Sequence, residues 1–278
     1  MPELPEVETT KNGLLPLIKH QRVTRVALHR ANLRWEIPKE LKTILAGQVV
    51  NGIDRRGKYL LIRFDVGTLI IHLGMSGSIK VVDSSEALRK HDHFELIFDN
   101  NKSMRLNDPR RFGAVLFSKD DSHPLLDNLG VEPLTTDFDE TYLYVRSRKK
   151  VQNIKAFIMD SKVVVGVGNI YACESLFASG IDPTRTAGSV SKARYKKLTQ
   201  NIKQILELAI KAGGTTLQDF SQVDGSPGYF AQTLNVYGCE NKPCKKCGGS
   251  LQYPLEGCKI QRIIQNQRST FYCKNCQS

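Results

Sequence analysis

The first residues of the chain carry the chemistry that is hardest to explain as structure alone. Pro2 and Glu3 stand directly after Met1, ahead of a proline- and glutamate-rich run. If Met1 is removed, Pro2 becomes a free secondary amine, and an α-amino group titrates at about pH 8. A neutral amine beside a carboxylate can attack an electrophilic carbon and form an iminium. The same residues also suit the first turn of an ordinary helix, and both interpretations stay open at this point.

Four cysteines near the end of the chain have the spacing of a metal site. They form two C-x-x-C pairs, Cys244 with Cys247 and Cys273 with Cys276, separated by 25 residues. That interval exceeds the usual one of about 15–20, so a loop insertion containing Cys258 must be accommodated. Four thiolates suffice for one tetrahedral structural zinc ion, and such a closed site leaves no open position for catalysis. A redox role for the two pairs is the alternative.

Residues 57–77 hold side chains that could contact a nucleic acid. Lys58 follows two arginines, a run that is usually a solvated basic turn but that can also bind a phosphate. His72 ends an apolar stretch, where a buried, hydrogen-bonded histidine is the simpler interpretation. Met75 lies in a glycine-rich turn, where an exposed methionine suits an apolar wedge between bases better than it suits a core.

A second basic loop is expected at residues 107–113. Arg110 and Arg111 follow a proline and precede Phe112, which would be a strange core segment. In a loop, a guanidinium can hydrogen-bond a base that has lost its partner, and a ring can stack in the gap. An exposed turn that happens to be basic explains the pattern equally well.

The second half of the chain contains a glycine-rich entry into a helix. Gly166 and Gly168 precede Asn169, so the backbone can turn tightly there. Free N–H groups at a helix start, with the Asn169 side chain, make a site for a phosphate. A plain corner between two helices is the alternative.

A long aperiodic segment at 215–230 follows a predicted helix. It contains Thr215, Thr216, Tyr229 and Phe230. Such segments inside compact proteins are lids, binding loops or disordered chain. A lid over a base pulled out of a double helix and plain disorder are compatible if the segment orders on binding.

The composition favours a polyanionic partner. The chain has 278 residues, a formal net charge of +12 and a pI of about 9.4. Charge alone does not separate nucleic acid from a membrane surface. No apolar run approaches the roughly 20 residues that span a bilayer, and a basic amphipathic N-terminal helix is lacking, so no membrane partner is expected. Seven cysteines without a signal peptide indicate cytosolic thiols.

The elements that must position these groups differ between the two halves of the chain. Short strands rich in Val, Ile and Leu are predicted at 23–28, 48–55, 58–64, 68–73, 93–98 and 103–107. This pattern is typical of an antiparallel sandwich or barrel, with one helix at 39–46 that closes on Gly47. After a linker at 133–136 the periodicity becomes helical, and Ser191 can cap a long helix that ends at Gly213 and Gly214.

Several separate motifs, in order along nearly the whole chain, resemble those of bacterial formamidopyrimidine-DNA glycosylases. The matching runs are Pro2-Glu3-Leu4-Pro5-Glu6, Arg56-Gly57-Lys58-Tyr59-Leu60, His72-Leu73-Gly74-Met75-Ser76-Gly77, Lys90-His91-Asp92-His93, Asp108-Pro109-Arg110-Arg111-Phe112-Gly113, Gly166-Val167-Gly168-Asn169-Ile170-Tyr171, and the terminal cysteines with Gln267-Arg268-Ser269-Thr270-Phe271.

The resemblance implies an α+β multidomain fold with DNA bound in a cleft. We expect an N-terminal antiparallel β-sandwich over 1–131, a helix–two-turn–helix domain over 132–236 and a four-cysteine β-hairpin zinc finger over 237–278. One structural Zn²⁺ and no catalytic metal or organic cofactor are expected. The implied protein is a monomer of the bacterial cytoplasm that associates with the nucleoid through DNA.

The resemblance also implies the reaction. The protein would flip an oxidised purine, 8-oxoguanine or a formamidopyrimidine, out of double-stranded DNA. Pro2 would attack C1′ and Glu3 would act as acid and base, with Lys58 and Arg268 also among the catalytic residues. Elimination of the 3′ and then the 5′ phosphate would follow, so abasic sites would be cut as well.

The remaining site residues follow from the same resemblance. Phosphates would be gripped by Lys58, His72, Asn169, Tyr237 and Arg268, with His91 among the DNA contacts. Met75, Arg110 and Phe112 would fill the vacated stack, with Arg110 facing the cytosine left behind. Residues 215–230 would cap the lesion. Lys155 matches a lysine linked with recognition of the damaged base, although Ala156 stands where the family often has proline.

Two competing functions fit part of this pattern. Endonuclease VIII-type enzymes share Pro2, Glu3, the lysine, the helix–two-turn–helix and the finger, but act on oxidised pyrimidines. Leu4 and the set of Met75, Arg110 and Phe112 favour the purine enzyme. A non-catalytic zinc-containing DNA-binding protein would explain the charge and the cysteines alone.

Overall fold

A computed structural model describes residues 2–120, 122–215, 223, 226, 228–248 and 258–278. The chain divides into two compact units. The N-terminal unit comprises Met1–Asn128 and Ala209–Ala231, and the helical unit comprises Leu129–Leu208 and Gln232–Ser278. The three-part division at 131 and 236 stays a prediction. Among the described residues, no helix combines the length and the apolar character that a membrane crossing would require.

Eight strands of the N-terminal unit form two antiparallel sheets of four strands. Their bounds are β1 Val23–Leu28, β2 Gly52–Arg56, β3 Tyr59–Phe64, β4 Gly67–His72, β5 Ser78–Asp83, β6 Asp92–Phe98, β7 Lys102–Asn107 and β8 Ala114–Ser118. One sheet has the order β1-β6-β7-β5 and the other β2-β3-β4-β8. Apolar side chains of both sheets belong to one buried core, so the predicted sandwich is confirmed.

Tight turns join consecutive strands. Gly67 has φ +136°, and a Cβ there would lie 2.3 Å from the carbonyl oxygen of Ser118, so only glycine fits where the turn after β3 enters β4. Asn101, at φ 60°, turns the chain between β6 and β7. The predicted strand at 48–55 is wrong in its first part. Residues 48–50 hydrogen-bond the backbone of residues 20–23, and β2 begins only afterwards.

In the described part of the N-terminal unit, the α-helices are α1 Leu4–Ile18, α2 Leu41–Ile44 and α3 Pro124–Asp127. Helix α1 packs on the sandwich through Val7, Leu14 and Ile18, which are fully buried in its core. A proline stands in its first turn, where the missing N–H breaks no intrahelical bond. The sandwich therefore fixes the position of the helix that follows Pro2 and Glu3.

The helical unit contains α4 Glu140–Ser147, α5 Ile154–Met159, α6 Asn169–Ser179, most of α7 Lys192–Lys211, and the strands β9 Gln261–Gln265 and β10 Arg268–Tyr272. Ser191 accepts a hydrogen bond from the N–H of Arg194 at 3.3 Å, which confirms the predicted cap of α7. Gly213 and Gly214, at φ 74° and 83°, follow the helix as the sequence predicts.

Strands β9 and β10 form a hairpin with a two-residue turn. Gln265 pairs with Arg268, and the intervening Asn266 and Gln267 have φ of 48° and 60°. Positive φ at both central residues is typical of a type I′ turn, whose twist matches that of the strands. The turn places Arg268 at the tip of the hairpin as the first residue of β10.

Candidate active site and nucleic-acid contacts

The predicted nucleophile and its acidic partner lie at the buried start of α1. Pro2 is buried, and Glu3 is 2% exposed. Glu3 and Glu6 form a capping box, in which the Glu3 N–H donates to Glu6 Oε2 at 2.8 Å and the Glu3 side chain accepts from the Glu6 N–H. The box satisfies two backbone donors that a helix start leaves free. The position of Glu3 is therefore fixed on both its backbone and its side chain.

Glu6 also ties α1 to the predicted capping segment. Its Oε1 accepts a hydrogen bond of 2.8 Å from the backbone N–H of Thr215. Thr215 and Tyr229 form an isolated antiparallel β-bridge, and the N–H of Phe230 donates to Gly214 O at 3.1 Å. The two ends of the segment are thus closed on each other, with Phe230 buried and Tyr229 exposed. Thr216 lies outside the described residues.

Lys58 lies in the turn between β2 and β3, next to His72 at the end of β4. Tyr59 pairs with His72 across the sheet, and their ring centroids are 4.8 Å apart. Arg55 Nε donates to Glu8 Oε2 at 2.7 Å and Arg55 Nη1 donates to the carbonyl of Gly57. This arginine therefore links the turn that carries Lys58 to the second turn of α1.

The His72 ring is held in its neutral form. Burial and the nearby positive charges of Lys58 and Arg34 lower the pKa of His72 to about 4. The Gly74 N–H donates to His72 Nδ1 at 3.0 Å, so Nδ1 is the acceptor nitrogen. A neutral imidazole with Nδ1 as acceptor carries its proton on Nε2. His72 can therefore donate a hydrogen bond to a phosphate oxygen throughout the physiological pH range.

Met75, Arg110 and Phe112 occupy two exposed loops of the N-terminal unit. Phe112 is 46% exposed and Met75 36%, which is unusual for large apolar side chains that serve a core. The Arg110 guanidinium carbon lies 5.1 Å from the centroid of the Phe112 ring. The structure thus brings Arg110 and Phe112 together as one cation–π pair. His91 lies close behind, with its carbonyl accepting from the N–H of Asp108 at 3.0 Å.

Lys155 and Asn169 contact the hairpin from two helices of the helical unit. Lys155 is 2% exposed, and its Nζ donates to Ser269 O at 3.2 Å and to Thr270 Oγ1 at 2.7 Å. Asn169 Nδ2 donates to the same Ser269 carbonyl at 2.9 Å. Both residues therefore hold β10 in this structure. A direct contact of Lys155 with a damaged base and of Asn169 with a phosphate stay predictions.

Arg268 borders a small cavity of about 170 Å³. The walls of the cavity include Asn153, Lys155, Asp160 and Gln265. Arg268 itself is exposed, so its guanidinium can reach a partner outside the protein. The tight turn before Arg268 fixes the backbone position from which its side chain extends.

Tyr237 is held by a buried glutamate. Glu174, 3% exposed, accepts hydrogen bonds from the backbone N–H groups of Asn235, Val236 and Tyr237. The Tyr237 ring meets the Phe271 ring edge-on, at a centroid distance of 5.1 Å. Glu174 was not predicted from the sequence, where its only signal is a single acidic residue in a helix that is otherwise uncharged.

The four C-terminal cysteines converge on one point. Their sulfur atoms all lie within 4.8 Å of one another, with Cys244 Sγ 3.8 Å from Cys276 Sγ and Cys247 Sγ 3.5 Å from Cys273 Sγ. A tetrahedron of sulfurs around zinc, with Zn–S bonds of about 2.3 Å, has edges of about 3.8 Å. The N–H of Lys246 also donates to Cys244 Sγ. The cluster is therefore suited to one structural metal ion.

Comparison with known proteins places the whole chain in one group. Residues 1–115 match the model of the formamidopyrimidine-DNA glycosylase N-terminal domain, and residues 129–221 match that of the formamidopyrimidine-DNA glycosylase H2TH domain. A formamidopyrimidine-DNA glycosylase of Ruthia magnifica subsp. Calyptogena magnifica is 70% identical over 278 residues, covering 100% of both chains.

Solved structures agree with the sequence matches. A mutant of the Lactococcus lactis Fpg in complex with Fapy-dG-containing DNA has a TM-score of 0.90 and 31% identity, covering 100% of both chains. The complex of Lactococcus lactis Fpg with DNA containing an abasic site has a TM-score of 0.88 and 30% identity, covering 99% of each.

Two antiparallel sheets, a helical unit and a hairpin beside four clustered cysteines, together with these matches, define a DNA glycosylase of base excision repair. AP lyase activity accompanies base excision in enzymes of this group. The chain belongs to the formamidopyrimidine-DNA glycosylase family.

Proposed function

We propose that the protein excises oxidised purines from double-stranded DNA with the Pro2 nitrogen as its nucleophile. The lone pair of Pro2, freed by loss of Met1, forms a bond to C1′ of the flipped nucleotide. The bond from C1′ to the base breaks, and the base leaves with a proton. Glu3 transfers a proton to the ring oxygen as the sugar opens, leaving an iminium between Pro2 and C1′.

The iminium then drives strand scission. It acidifies the C2′ protons, and removal of one of them expels the 3′ phosphate. A second elimination expels the 5′ phosphate, so the product is a one-nucleotide gap with phosphate ends. An abasic site enters the same sequence directly, because its aldehyde also condenses with Pro2. Lys58 and Arg268 assist by neutralising phosphate charge near the reacting sugar.

The observation that carries this proposal is the fixed geometry at the start of α1. Pro2 and Glu3 are both buried, whereas an exposed carboxyl group could cap the helix without the free-energy cost of burial. Glu6 holds the backbone of Glu3 with one oxygen and the backbone of Thr215 with the other. The acid–base group and the capping segment are therefore positioned by one carboxylate.

The DNA contacts divide between the two units. On the N-terminal unit, Lys58 and His72 bind phosphates, and His91 lies beside the loops that carry Met75, Arg110 and Phe112. These three side chains fill the stack that the flipped base leaves, with Arg110 donating to the base opposite. On the helical unit, Asn169, Tyr237 and Arg268 bind phosphates. Lys155 contributes to recognition of the damaged base from beneath the hairpin.

The cysteine cluster holds one Zn²⁺, which supports the hairpin and takes no part in the chemistry. The sulfur separations fit a tetrahedral site of four thiolates. Cys244, Cys247, Cys273 and Cys276 would hold the ion through four thiolates, and the ion would supply folding energy to the segment that presents Arg268. The protein acts as a monomer on chromosomal DNA in the bacterial cytoplasm, and associates with the nucleoid through that substrate.

Borohydride trapping tests the covalent step. Reduction of the iminium during reaction with an 8-oxoguanine·cytosine duplex should join the protein to the DNA, and mass spectrometry of the adduct should place the link on the N-terminal nitrogen of Pro2. An adduct on a lysine would contradict the role of Pro2. A protein that binds the duplex without trapping would be a DNA-binding module only.

A parallel comparison tests the substrate class. Excision from 8-oxoguanine·cytosine and from thymine-glycol·adenine duplexes should be measured at equal enzyme and salt concentrations. Faster excision of 8-oxoguanine is expected, because Met75, Arg110 and Phe112 together match the purine-specific arrangement. Faster excision of thymine glycol would instead assign the chain to the oxidised-pyrimidine enzymes.

A further inference from the structure

Ser76 lies where two loops of the N-terminal unit meet. The first loop, residues 73–77, carries Met75, and the second, residues 108–113, carries Arg110 and Phe112. Ser76 is only 6% exposed, although it directly follows the exposed Met75. We propose that Ser76 is a positioning residue that joins the two loops into one element that enters the DNA stack. The inference rests on the proposed roles of Met75, Arg110 and Phe112.

The Ser76 hydroxyl bridges the loops with both of its hydrogen-bonding functions. It donates to Asp108 Oδ1 at 2.9 Å and accepts from the backbone N–H of Arg110 at 3.2 Å. The second oxygen of Asp108 accepts from the N–H of Gly113 at 2.8 Å. Asp108 is completely buried. Ser76 and Asp108 thus hold the second loop at both ends, on either side of Phe112.

Close backbone packing joins the loops at a second place. Gly74 has φ +64°, and a Cβ on it would lie 2.4 Å from the carbonyl carbon of Phe112. A Cβ on Gly113 would lie 2.8 Å from the carbonyl oxygen of His72. No side chain separates the two backbones here. The hydrogen bonds of Ser76 therefore act on loops that already touch, and they fix the register in which these loops touch.

The joined loops are also anchored to the sheet. The Asp108 N–H donates to the carbonyl of His91 at 3.0 Å, and the Asp108 carbonyl lies 3.0 Å from His93 Nε2. Strand β6 begins beside these two histidines. Asp108 is therefore a fixed point, and Ser76 transmits its position to the backbone that carries Met75.

The effect of Ser76 should be confined to steps that need an opposite strand. Arg110 can donate to an orphaned base only in a duplex, and Phe112 stacks only on a neighbouring base pair. Pro2 and Glu3 can react with an abasic site in a single strand without either event. Loss of the Ser76 hydroxyl should therefore separate insertion into the duplex from the covalent chemistry.

The test compares Ser76→Ala with the wild-type protein on two substrates. A duplex with 2-aminopurine beside an 8-oxoguanine·cytosine pair reports insertion as a rise in fluorescence. A single-stranded abasic oligonucleotide reports the chemistry through borohydride trapping. In the variant, the insertion rate and the excision rate should fall about tenfold, since two hydrogen bonds are lost. The preference for cytosine over adenine opposite the lesion should narrow, and single-strand trapping should stay within about twofold of wild type.

Two further variants control the result. Ser118→Ala removes a hydroxyl that donates to Ser122 O at 2.7 Å on the same unit, and it should behave like wild type on both substrates. Ser76→Thr keeps the hydroxyl and should restore most of the insertion rate. The loss in Ser76→Ala combined with Asp108→Asn should be smaller than the product of the single losses, because the two residues share one interaction.

Three outcomes separate the possibilities. Wild-type insertion by Ser76→Ala would overturn the inference. An equal loss on duplex and single strand would also overturn it, because the hydroxyl would then support the fold rather than the loops. A wild-type protein that traps on neither substrate would overturn the proposed function itself, whatever the variant does.

Discussion

Two regions of the molecule that carry predicted DNA contacts are stabilised in different ways. The loops with Met75, Arg110 and Phe112 belong to the sandwich, whose core draws on both sheets and on α1. The hairpin with Arg268 has a small core around Phe177, Val236 and the cysteines. A small satellite of this kind buries too little apolar surface to order itself. The sandwich can therefore hold a functional loop with a hydroxyl and a carboxylate, while the hairpin lies beside a cysteine cluster suited to a metal ion and is held by buried polar side chains such as Lys155.

The largest effect is expected from a change that prevents the covalent reaction at the N-terminal unit and leaves the DNA contacts of the hairpin intact. Pro2→Gly replaces the secondary amine with a primary amine on a flexible residue. Excision of 8-oxoguanine should fall roughly 100-fold or more, while the Kd for a duplex containing a reduced abasic-site analogue changes less than about threefold. Single-turnover gels and fluorescence anisotropy measure the two quantities. An equally large increase in the Kd would show that the N-terminus also contributes to DNA binding.

Removal of the metal ion should unfold the hairpin and leave the sandwich folded. Prolonged treatment with a strong chelator should lower DNA affinity on the order of 100-fold, because the segment that presents Arg268 loses its fold. The single tryptophan, Trp35, lies in the N-terminal unit, and its fluorescence should still report a folded sandwich. Readdition of Zn²⁺ should restore binding. Simultaneous loss of the Trp35 signal would show that the chelator unfolds the sandwich as well.

Arg268→Ala keeps the hairpin and removes only its charged tip. Affinity should fall about tenfold for lesion and undamaged duplexes alike, and the slope of log Kd against log salt should decrease by about one, as expected for one lost phosphate contact. Arg262→Ala, on the neighbouring strand, is the matched control, since its guanidinium bonds Glu240 and Ser269. An unchanged salt slope for Arg268→Ala would remove that residue from the set of phosphate contacts.

The stability of the N-terminal unit should depend on pH through His72. The pKa of His72 is lowered to about 4 in the folded protein, against about 6.5 when unfolded. The unfolded chain therefore binds more protons between these values, and this contribution to stability is complete above pH 6.5 and lost as the pH falls towards 4. The free energy of unfolding should be measured with urea at pH 7 and at pH 5. Between these two values it should fall by about 2 kcal/mol more for wild type than for His72→Gln. His20→Gln, at an exposed position of the same unit, is the control for the loss of a histidine.

Much of the sandwich was predictable because its strands are short, apolar and separated by turn residues. The first strand, 23–28, has the predicted bounds, and Gly67 and Asn101 turn the chain between predicted strands. The strand predicted at 48–55 starts too early, because residues 48–50 pair with residues 20–23 rather than with β3. Sequence composition cannot distinguish which of two neighbouring segments an extended stretch will pair with.

The candidate site was predictable where residue types are unusual and unpredictable where they are common. Four cysteines in two pairs indicate a metal cluster, and the structure brings their sulfurs together. The bridging roles of Glu6 and Ser76 and the carboxylate of Glu174 carry no comparable signal. Each depends on a backbone N–H supplied by a residue distant in the chain, such as Thr215 for Glu6. Only the three-dimensional structure identifies such partners.

The turn between β9 and β10 has a consequence for any redesign of the hairpin. Gln267 adopts φ 60°, a conformation that costs a residue with a side chain about 1 kcal/mol more than glycine. Glycine at this position would relieve that cost. It would also allow the backbone before Arg268 more conformations, so the guanidinium would be placed less precisely. The protein thus keeps a slightly unfavourable backbone conformation at the hairpin tip. A Gln267→Gly variant selected only for thermal stability would lose the fixed orientation of Arg268.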